Sequence, residues 1–327
     1  MSETNDFAVL AEGLARNFGE VRAVDGIDLA VRKGEVYGFL GPNGAGKTTV
    51  VRMLITLLLP HGGRAMVAGK DVVREPKEVR LRVGAALQEA ALDPKQTGRE
   101  ILRLQGWLFG MSGREVDRRL TELESLMDIG DAINRFVGTY SGGMKRRLDL
   151  AAALIHDPEV LFLDEPTTGL DPISRNRVWE EVRRINKELG VTIFLTTQYL
   201  EEADMLAERV GIIDRGRIAV EGTPAELKRS VGRDVIIVQI EGDPSTAIAA
   251  LENVSGVSQI EDHGRELVVS VENGAALVGN VALALDRGGV TVGEITLRTP
   301  TLDDVFLTVT GGRIQVDADP TDEPEET

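Results

Sequence analysis

The chain has 327 residues, 42% of them hydrophobic, a formal net charge of −16 and no cysteine. That length and apolar content suffice for two domains with real cores, and the lack of cysteine excludes a disulfide framework and thiolate metal sites. The negative charge opposes binding of nucleic acid or anionic lipid through a general basic field.

Met1–Asp6 is acidic and polar, so no secretory signal is read there. Residues 7–31 alternate, with Phe7, Val9 and Leu10, then Val24, Ile27, Leu29 and Val31, punctuated by Gly13, Gly19 and Gly26. They read as short strands of a β layer. Glu35–Leu40 is a short apolar run that predicts a buried strand. Next comes Gly41-Pro42-Asn43-Gly44-Ala45-Gly46-Lys47-Thr48-Thr49, which fits G-x-x-x-x-G-K-[ST]. Thr49 to Leu59 predicts a buried helix. Strand, glycine loop and helix together mark a phosphate site. The glycines let backbone N–H groups turn inward, and the helix terminus adds partial positive charge. Lys47 is then placed for the β- and γ-phosphates, and the Thr48 hydroxyl for Mg²⁺.

Arg64–Gly69 and Val83–Leu87 predict two further strands, the second ending at Gln88. Thr97–Ser125 has helical periodicity with a break at Ser112-Gly113, as in a helical subdomain inserted between strands. No apolar run approaches the roughly 20 residues of a membrane helix; Met53–Leu59 is far shorter. A soluble, cytoplasmic protein is expected, and any work at a membrane requires another protein to hold it there. His61, His156 and His263 are scattered and read as surface or packing residues.

Ser141-Gly142-Gly143 opens a helix that runs to Ile155. It is either a second phosphate contact or an ordinary N-cap serine, and taken alone the cap is favoured. Lys145-Arg146-Arg147 reads as a solvated or partner-facing edge. Val160–Asp164 is an apolar strand ending in Asp164-Glu165, at the end of the sheet where ligands sit. Asp164 suits Mg²⁺, and Glu165 suits orienting and deprotonating a water. The plainer alternative is a polar strand end before Pro166, but beside a phosphate loop the functional reading is preferred. Val178–Leu189 predicts a helix and Val191–Leu195 a strand, so the sheet is parallel and covered on both faces.

Near residue 231 the character changes. Val235–Ile240, Thr246–Leu251, Val257–Ile260, Leu267–Val271, Ala275–Leu285 and Val290–Leu297 read as βαββαβ, the split ferredoxin-like plan. Asp317–Thr327 holds six acids and two prolines and reads as disordered.

In order and spacing these motifs resemble the nucleotide-binding subunit of an ATP-binding cassette (ABC) transporter over residues 7–230. Tyr140-Ser141-Gly142-Gly143-Met144 resembles the family signature, Leu163–Thr167 its Walker B segment, and Thr168-Gly169-Leu170-Asp171 the loop after it. Gln88 stands at the Mg²⁺-sensing and permease-coupling glutamine, and Phe18 near the aromatic that stacks on adenine. Pro300–Phe306 is similar to the tail of the daunorubicin/doxorubicin-resistance type of exporter ATPase. Two departures stand out. The signature begins with Tyr140 and ends with Met144. Thr196-Thr197-Gln198-Tyr199 puts glutamine at the usual switch histidine, an amide that can donate to a γ-phosphate but cannot become cationic.

The resemblance implies an α/β P-loop ABC ATPase domain over 1–230, with a mixed sheet core, a β layer and a helical subdomain at about 95–155. After it come a small α+β ferredoxin-like accessory or dimerisation domain over 231–312 and the acidic tail, 313–327. It implies ATP and Mg²⁺ as cofactors, Thr48, Gln88 and Asp164 at the metal, and Glu165 and Gln198 as catalytic groups. ATP would be clamped between Gly41–Thr49 of one subunit and Ser141-Gly142-Gly143 of the other, with Phe18, Tyr140, Met144 and Asp171 also among its contacts. The implied partners are a second copy and a separate membrane permease on the cytoplasmic face, with neither nucleic acid nor a lipid anchor. Export of a hydrophobic, drug- or antibiotic-like compound is the expected output. The alternatives are a soluble ABC ATPase acting on a macromolecular complex and a non-catalytic nucleotide-dependent module.

Overall fold

The computed structural model describes residues 6–87 and 92–311. Gln88 and the tail 313–327 therefore lie outside the described residues. The chain forms two compact units, dividing at Pro224/Ala225.

The first unit opens with β1 (Phe7–Phe18) and β2 (Val21–Arg32), an antiparallel pair of two long strands. Several short strands were expected. Gly13 and Gly26 have positive φ but do not end the strands; Gly13 falls at a register shift between Ala11 and Leu14, so the glycine is absorbed as a bulge. Then follow β3 (Val36–Leu40), α1 (Lys47–Leu54), β4 (Gly62–Val67), β5 (Lys70–Asp71), α2 (Pro76–Arg80) and β6 (Val83–Ala86). The helix α1 is shorter than expected. Thr56 adopts a left-handed φ of 65°, and Leu57 and Leu59 are exposed.

The helical subdomain carries α3 (Gly98–Leu108), α4 (Gly113–Leu126) and α5 (Gly142–Leu154). Capping boxes on Thr97 and Ser112 start the first two, which explains the break at Ser112-Gly113. The unit ends with β7 (Val160–Asp164), α6 (Pro172–Leu189), β8 (Thr192–Thr197), α7 (Leu200–Leu206), β9 (Arg209–Asp214) and β10 (Arg217–Gly222).

These strands build two sheets, one ordered β2-β1-β4-β5 and one β10-β9-β3-β8-β7-β6. The larger sheet is parallel except for the antiparallel β9–β10 pair, hence mixed. Successive side chains of a strand point to opposite faces. Tyr37, Phe39, Val160, Phe162 and Phe194 thus pack toward the β layer and α1, while Leu161, Leu163, Ile193 and Leu195 pack toward the helices. The continuous apolar strands are continuous because both faces are buried. Phe194 lies 5.5–5.6 Å from the rings of Tyr37, Phe39 and Phe162, a cluster in which each ring stabilises by about 1.5–3 kcal/mol on burial.

The second unit starts within α8 (Pro224–Val231), followed by β11 (Asp234–Glu241), α9 (Pro244–Leu251), β12 (Val257–Asp262), β13 (Glu266–Val271), α10 (Gly274–Arg287), β14 (Thr291–Arg298) and α11 (Leu302–Thr310). Its sheet is antiparallel in the order β12-β13-β11-β14, the ferredoxin-like arrangement. Ile236, Val238, Val269 and Leu267 meet Leu251, Val281 and Leu285 from α9 and α10 in one core.

Candidate active site

The phosphate loop joins β3 to α1 at the carboxyl end of the parallel strands. Gly46 caps α1 with φ 111°, and no acidic residue occupies the first turn. The positive end of the helix is thus left for an external anion. A side chain at Gly41 would put its Cβ 2.4 Å from the Ile213 carbonyl, and one at Gly46 would meet the Ala23 carbonyl at 2.4 Å. Both positions need glycine for close backbone approach.

Lys47 is buried and points back along its own loop. Its Nζ donates to the carbonyls of Gly41 at 2.7 Å and Pro42 at 3.2 Å, and lies 3.4 Å from Glu165 Oε1. Burial lowers the Lys47 pKa, and the nearby Glu165 and Asp164 carboxylates oppose that shift. Thr48 Oγ1 donates to Asp164 Oδ1 at 3.3 Å, and the Thr196 hydroxyl donates to the same oxygen. Asp164 is 1% exposed.

Glu165 follows directly, and its backbone has a left-handed φ of 48°. For a residue with a Cβ this is an uncommon conformation that clusters at functional sites. The Glu165 N–H donates to the Thr196 carbonyl at 3.0 Å, holding the turn against β8. Thr168 Oγ1 donates to Glu165 Oε2 at 3.3 Å. Asn43, Gly44, Gly46–Thr49, Glu165, Thr168 and Gln198 line one open cleft of about 380 Å³. Residues far apart in sequence thus converge where a phosphate would bind.

The other expected contacts lie elsewhere. No residue of Tyr140–Met144 is among the described residues lining that cleft. Ser141 is exposed and caps α5 by accepting from Met144 N at 3.3 Å, again with no acid in the first turn. Asp171 caps α6, accepting from Ser174 N at 3.0 Å. A Cβ on Gly143 would come within 3.1 Å of Ser174 Oγ, so the two caps are neighbours. Tyr140 is buried, and its hydroxyl donates to the Ala132 carbonyl at 2.5 Å, which supports the signature from beneath. Phe18 is half exposed, with the Arg16 guanidinium 5.0 Å from its ring centroid.

One sequence expectation is overturned. Of Lys145-Arg146-Arg147 only Lys145 is exposed, while Arg146 is buried at 7% exposure. On a helix, neighbours in sequence point about 100° apart, so a basic triplet need not share one face. Other groups around the site were not foreseen. Thr196 lies two residues before Gln198, and its hydroxyl donates to Asp164. Glu202, fully buried on α7, accepts at Oε1 from Thr167 at 2.9 Å and Trp179 Nε1 at 3.0 Å. Burial raises its pKa, and those hydrogen bonds oppose the shift.

A family model described as ABC transporter matches residues 24–168, and one described as the DrrA1-3-like ATP-binding protein C-terminal domain matches residues 222–310. The chain is 49% identical to the daunorubicin resistance ATP-binding protein DrrA2 of Streptomyces coeruleorubidus, over 94% of this chain and 97% of that one. It is 47% identical to the daunorubicin/doxorubicin resistance ATP-binding protein DrrA of Streptomyces peucetius, over 93% and 92%. A solved ATP-binding subunit of an ABC transporter shares 26% identity and superposes with a TM-score of 0.61, covering 68% of this chain and 92% of that one. Such relatives do not favour a soluble ATPase unconnected with transport. With near-complete coverage of these relatives, the chain belongs to the ABC transporter family as an ATP-hydrolysing, ATP-binding subunit of the exporter group that includes the daunorubicin/doxorubicin resistance proteins.

Proposed function

We propose that the chain couples Mg²⁺-dependent ATP hydrolysis to export of a hydrophobic, drug-like compound through a separate permease. The observation that carries the chemistry is the convergence of Lys47, Thr48, Glu165 and Gln198 on one cleft. The N–H groups of the loop and Lys47 bind the phosphates. Glu165, which lines the cleft beside Lys47, is assigned to orient the attacking water and take its proton. Gln198 donates its amide N–H to the γ-phosphate. Phe18 stacks on the adenine.

The donor set at the metal position is a hydroxyl, Thr48, and a buried carboxylate, Asp164, joined by Gln88 from the resemblance. Hard oxygen ligands few in number suit Mg²⁺, which keeps several waters and binds through phosphates. Among the described residues no cluster of three or more His, Cys, Asp or Glu offers a richer metal cage. The ion would supply neutralisation of phosphate charge.

A single phosphate-loop cleft and a single exposed signature among the described residues favour a head-to-tail pair of subunits. In it Ser141-Gly142-Gly143 and Asp171 of each copy complete the site of the other. Residues 231–312 serve that pairing as a dimerisation domain. No helix among the described residues is long and apolar enough to cross a membrane, so the subunit attaches at the cytoplasmic face through the permease. The relatives' drug names support a hydrophobic cargo class. The test is hydrolysis by the purified chain with Mg²⁺ and with chelator, together with co-purification of a membrane protein. Hydrolysis that persists in chelator sinks the metal assignment. Absence of any membrane partner sinks the transport reading.

A further inference from the structure

The buried guanidinium of Arg146 is not used by the mechanism above. It projects from α5, one turn after Ser141-Gly142-Gly143, toward the carboxyl ends of the parallel strands. Nη1 donates to the Leu87 carbonyl at 2.8 Å and to Asp149 Oδ2 at 3.0 Å. Nη2 makes two longer contacts, with the Ala86 carbonyl at 3.4 Å and the Asp164 carbonyl at 3.5 Å. Ala86 and Leu87 lead directly into Gln88. Asp164 is the proposed metal ligand, and Glu165 follows it. One side chain therefore touches the signature helix, the strand before the glutamine and the strand carrying the acidic pair.

A charge held at this depth costs free energy unless it is paired and hydrogen-bonded. Asp149 compensates it, and the carboxylates of Glu202 and Asp164 add attraction. The planar fork of arginine can reach several carbonyls at once, whereas the lysine ammonium is a single point charge. A residue serving only to fill the core would not need this fork; an apolar side chain of equal volume would do so without the desolvation cost.

We infer that Arg146 is a positioning residue that ties the signature helix to the strand ends at Ala86–Leu87 and Asp164, so that the two ATP sites of a dimer are coupled through each subunit. The inference rests on the two-subunit reading above. In that pair the signature serves the other subunit's ATP, while Asp164 and Glu165 serve their own. Arg146 is then the short covalent and hydrogen-bonded path between the two.

The test compares full-length wild type, Arg146→Gln and Arg146→Lys. Three quantities are read: affinity for a fluorescent ATP analogue, steady-state kcat and KM for ATP, and the Hill coefficient. Arg146→Gln is expected to keep nucleotide affinity and KM within about twofold, to lower kcat at least about tenfold, and to bring the Hill coefficient toward 1. Arg146→Lys falls between, because it keeps the charge and loses the fork. A kcat within about threefold of wild type in Arg146→Gln overturns the inference. So does a loss of affinity that matches the loss of kcat, which would mark a purely structural role. If Arg146→Gln does not fold, Arg146→Lys decides by the same criteria. A wild type that does not hydrolyse ATP refutes the functional reading itself. A wild type that hydrolyses with a Hill coefficient of 1 refutes the coupling alone.

Discussion

Replacing Glu165 by Gln tests the chemical assignment most directly. The substitution keeps the size and hydrogen-bonding shape of the side chain and removes its charge and basicity. Glu165 has two partners in the cleft, Lys47 Nζ at 3.4 Å and Thr168 Oγ1 at 3.3 Å. The amide oxygen can accept from either donor, and Lys47 also keeps its bonds to the Gly41 and Pro42 carbonyls. The fold should therefore lose little. A positioned general base contributes roughly 10²- to 10⁴-fold, so the barrier should rise by about 3–5 kcal/mol. ATP binding should stay level or tighten, because the carboxylate that competes with phosphate for Lys47 is gone. Steady-state phosphate release and nucleotide titration on the same preparation separate the two effects. A fall in turnover below about tenfold, with affinity unchanged, would refute the role of Glu165 as base.

Three further outcomes are expected. Gln198→Ala removes a donor to a charged phosphate, worth about 1.5–3 kcal/mol, and should slow hydrolysis roughly 10- to 150-fold in the phosphate-release assay; a wild-type rate would make Gln198 a bystander. Gly46→Ala forces a Cβ to within 2.4 Å of the Ala23 carbonyl at φ 111°, and should abolish binding of a fluorescent ATP analogue; retained affinity would refute the close-approach argument. Burial pushes the Glu181 carboxyl on α6 up to about 8 from 4.5, with Arg147 opposing the shift. An acid with a raised folded pKa contributes stability that is fully present below about pH 4.5 and lost as pH rises through about 8. Glu181→Gln should therefore flatten the decline in stability between about pH 4.5 and 8 and leave the variant more stable than wild type at mildly alkaline pH, by at most about 5 kcal/mol; an unchanged pH profile would refute it.

What the sequence disclosed was what neighbouring residues decide. The phosphate loop lies within nine consecutive residues, and Asp164-Glu165 ends an apolar run, so both motifs are local. The ferredoxin-like order was legible because each short element carries its own periodicity. Long-range geometry was not. The Lys47–Glu165 pair and the Thr196–Asp164 bond join segments separated by β-strand crossovers. The end of α1 was hidden because Leu57, Leu58 and Leu59 continue the apolar run past the left-handed turn at Thr56. The strands β9 and β10 went unread, although β9 is the neighbour that seats β3. Arg146 was misjudged because composition gives a basic triplet one character, whereas the helix gives its members different faces.

The placement of the signature bears on how the site can act. Gly41–Thr49 and Glu165 share a cleft, while Ser141 and Asp171 form a second, adjacent pair of helix caps outside its lining. In each chain the phosphate loop lies in a cleft open to its surroundings. If the proposed dimer forms, the caps on α5 and α6 of one copy close the open side of the other, and their N-terminal dipoles add attraction for the same phosphates. Binding energy for ATP is then released in full only on closure. Hydrolysis weakens it again, since splitting the γ-phosphate removes the group that both halves grip. That difference is the free energy available to a permease. It requires the two halves within one chain to move as a linked body, which is the mechanical demand that a buried, multiply bonded Arg146 is built to meet.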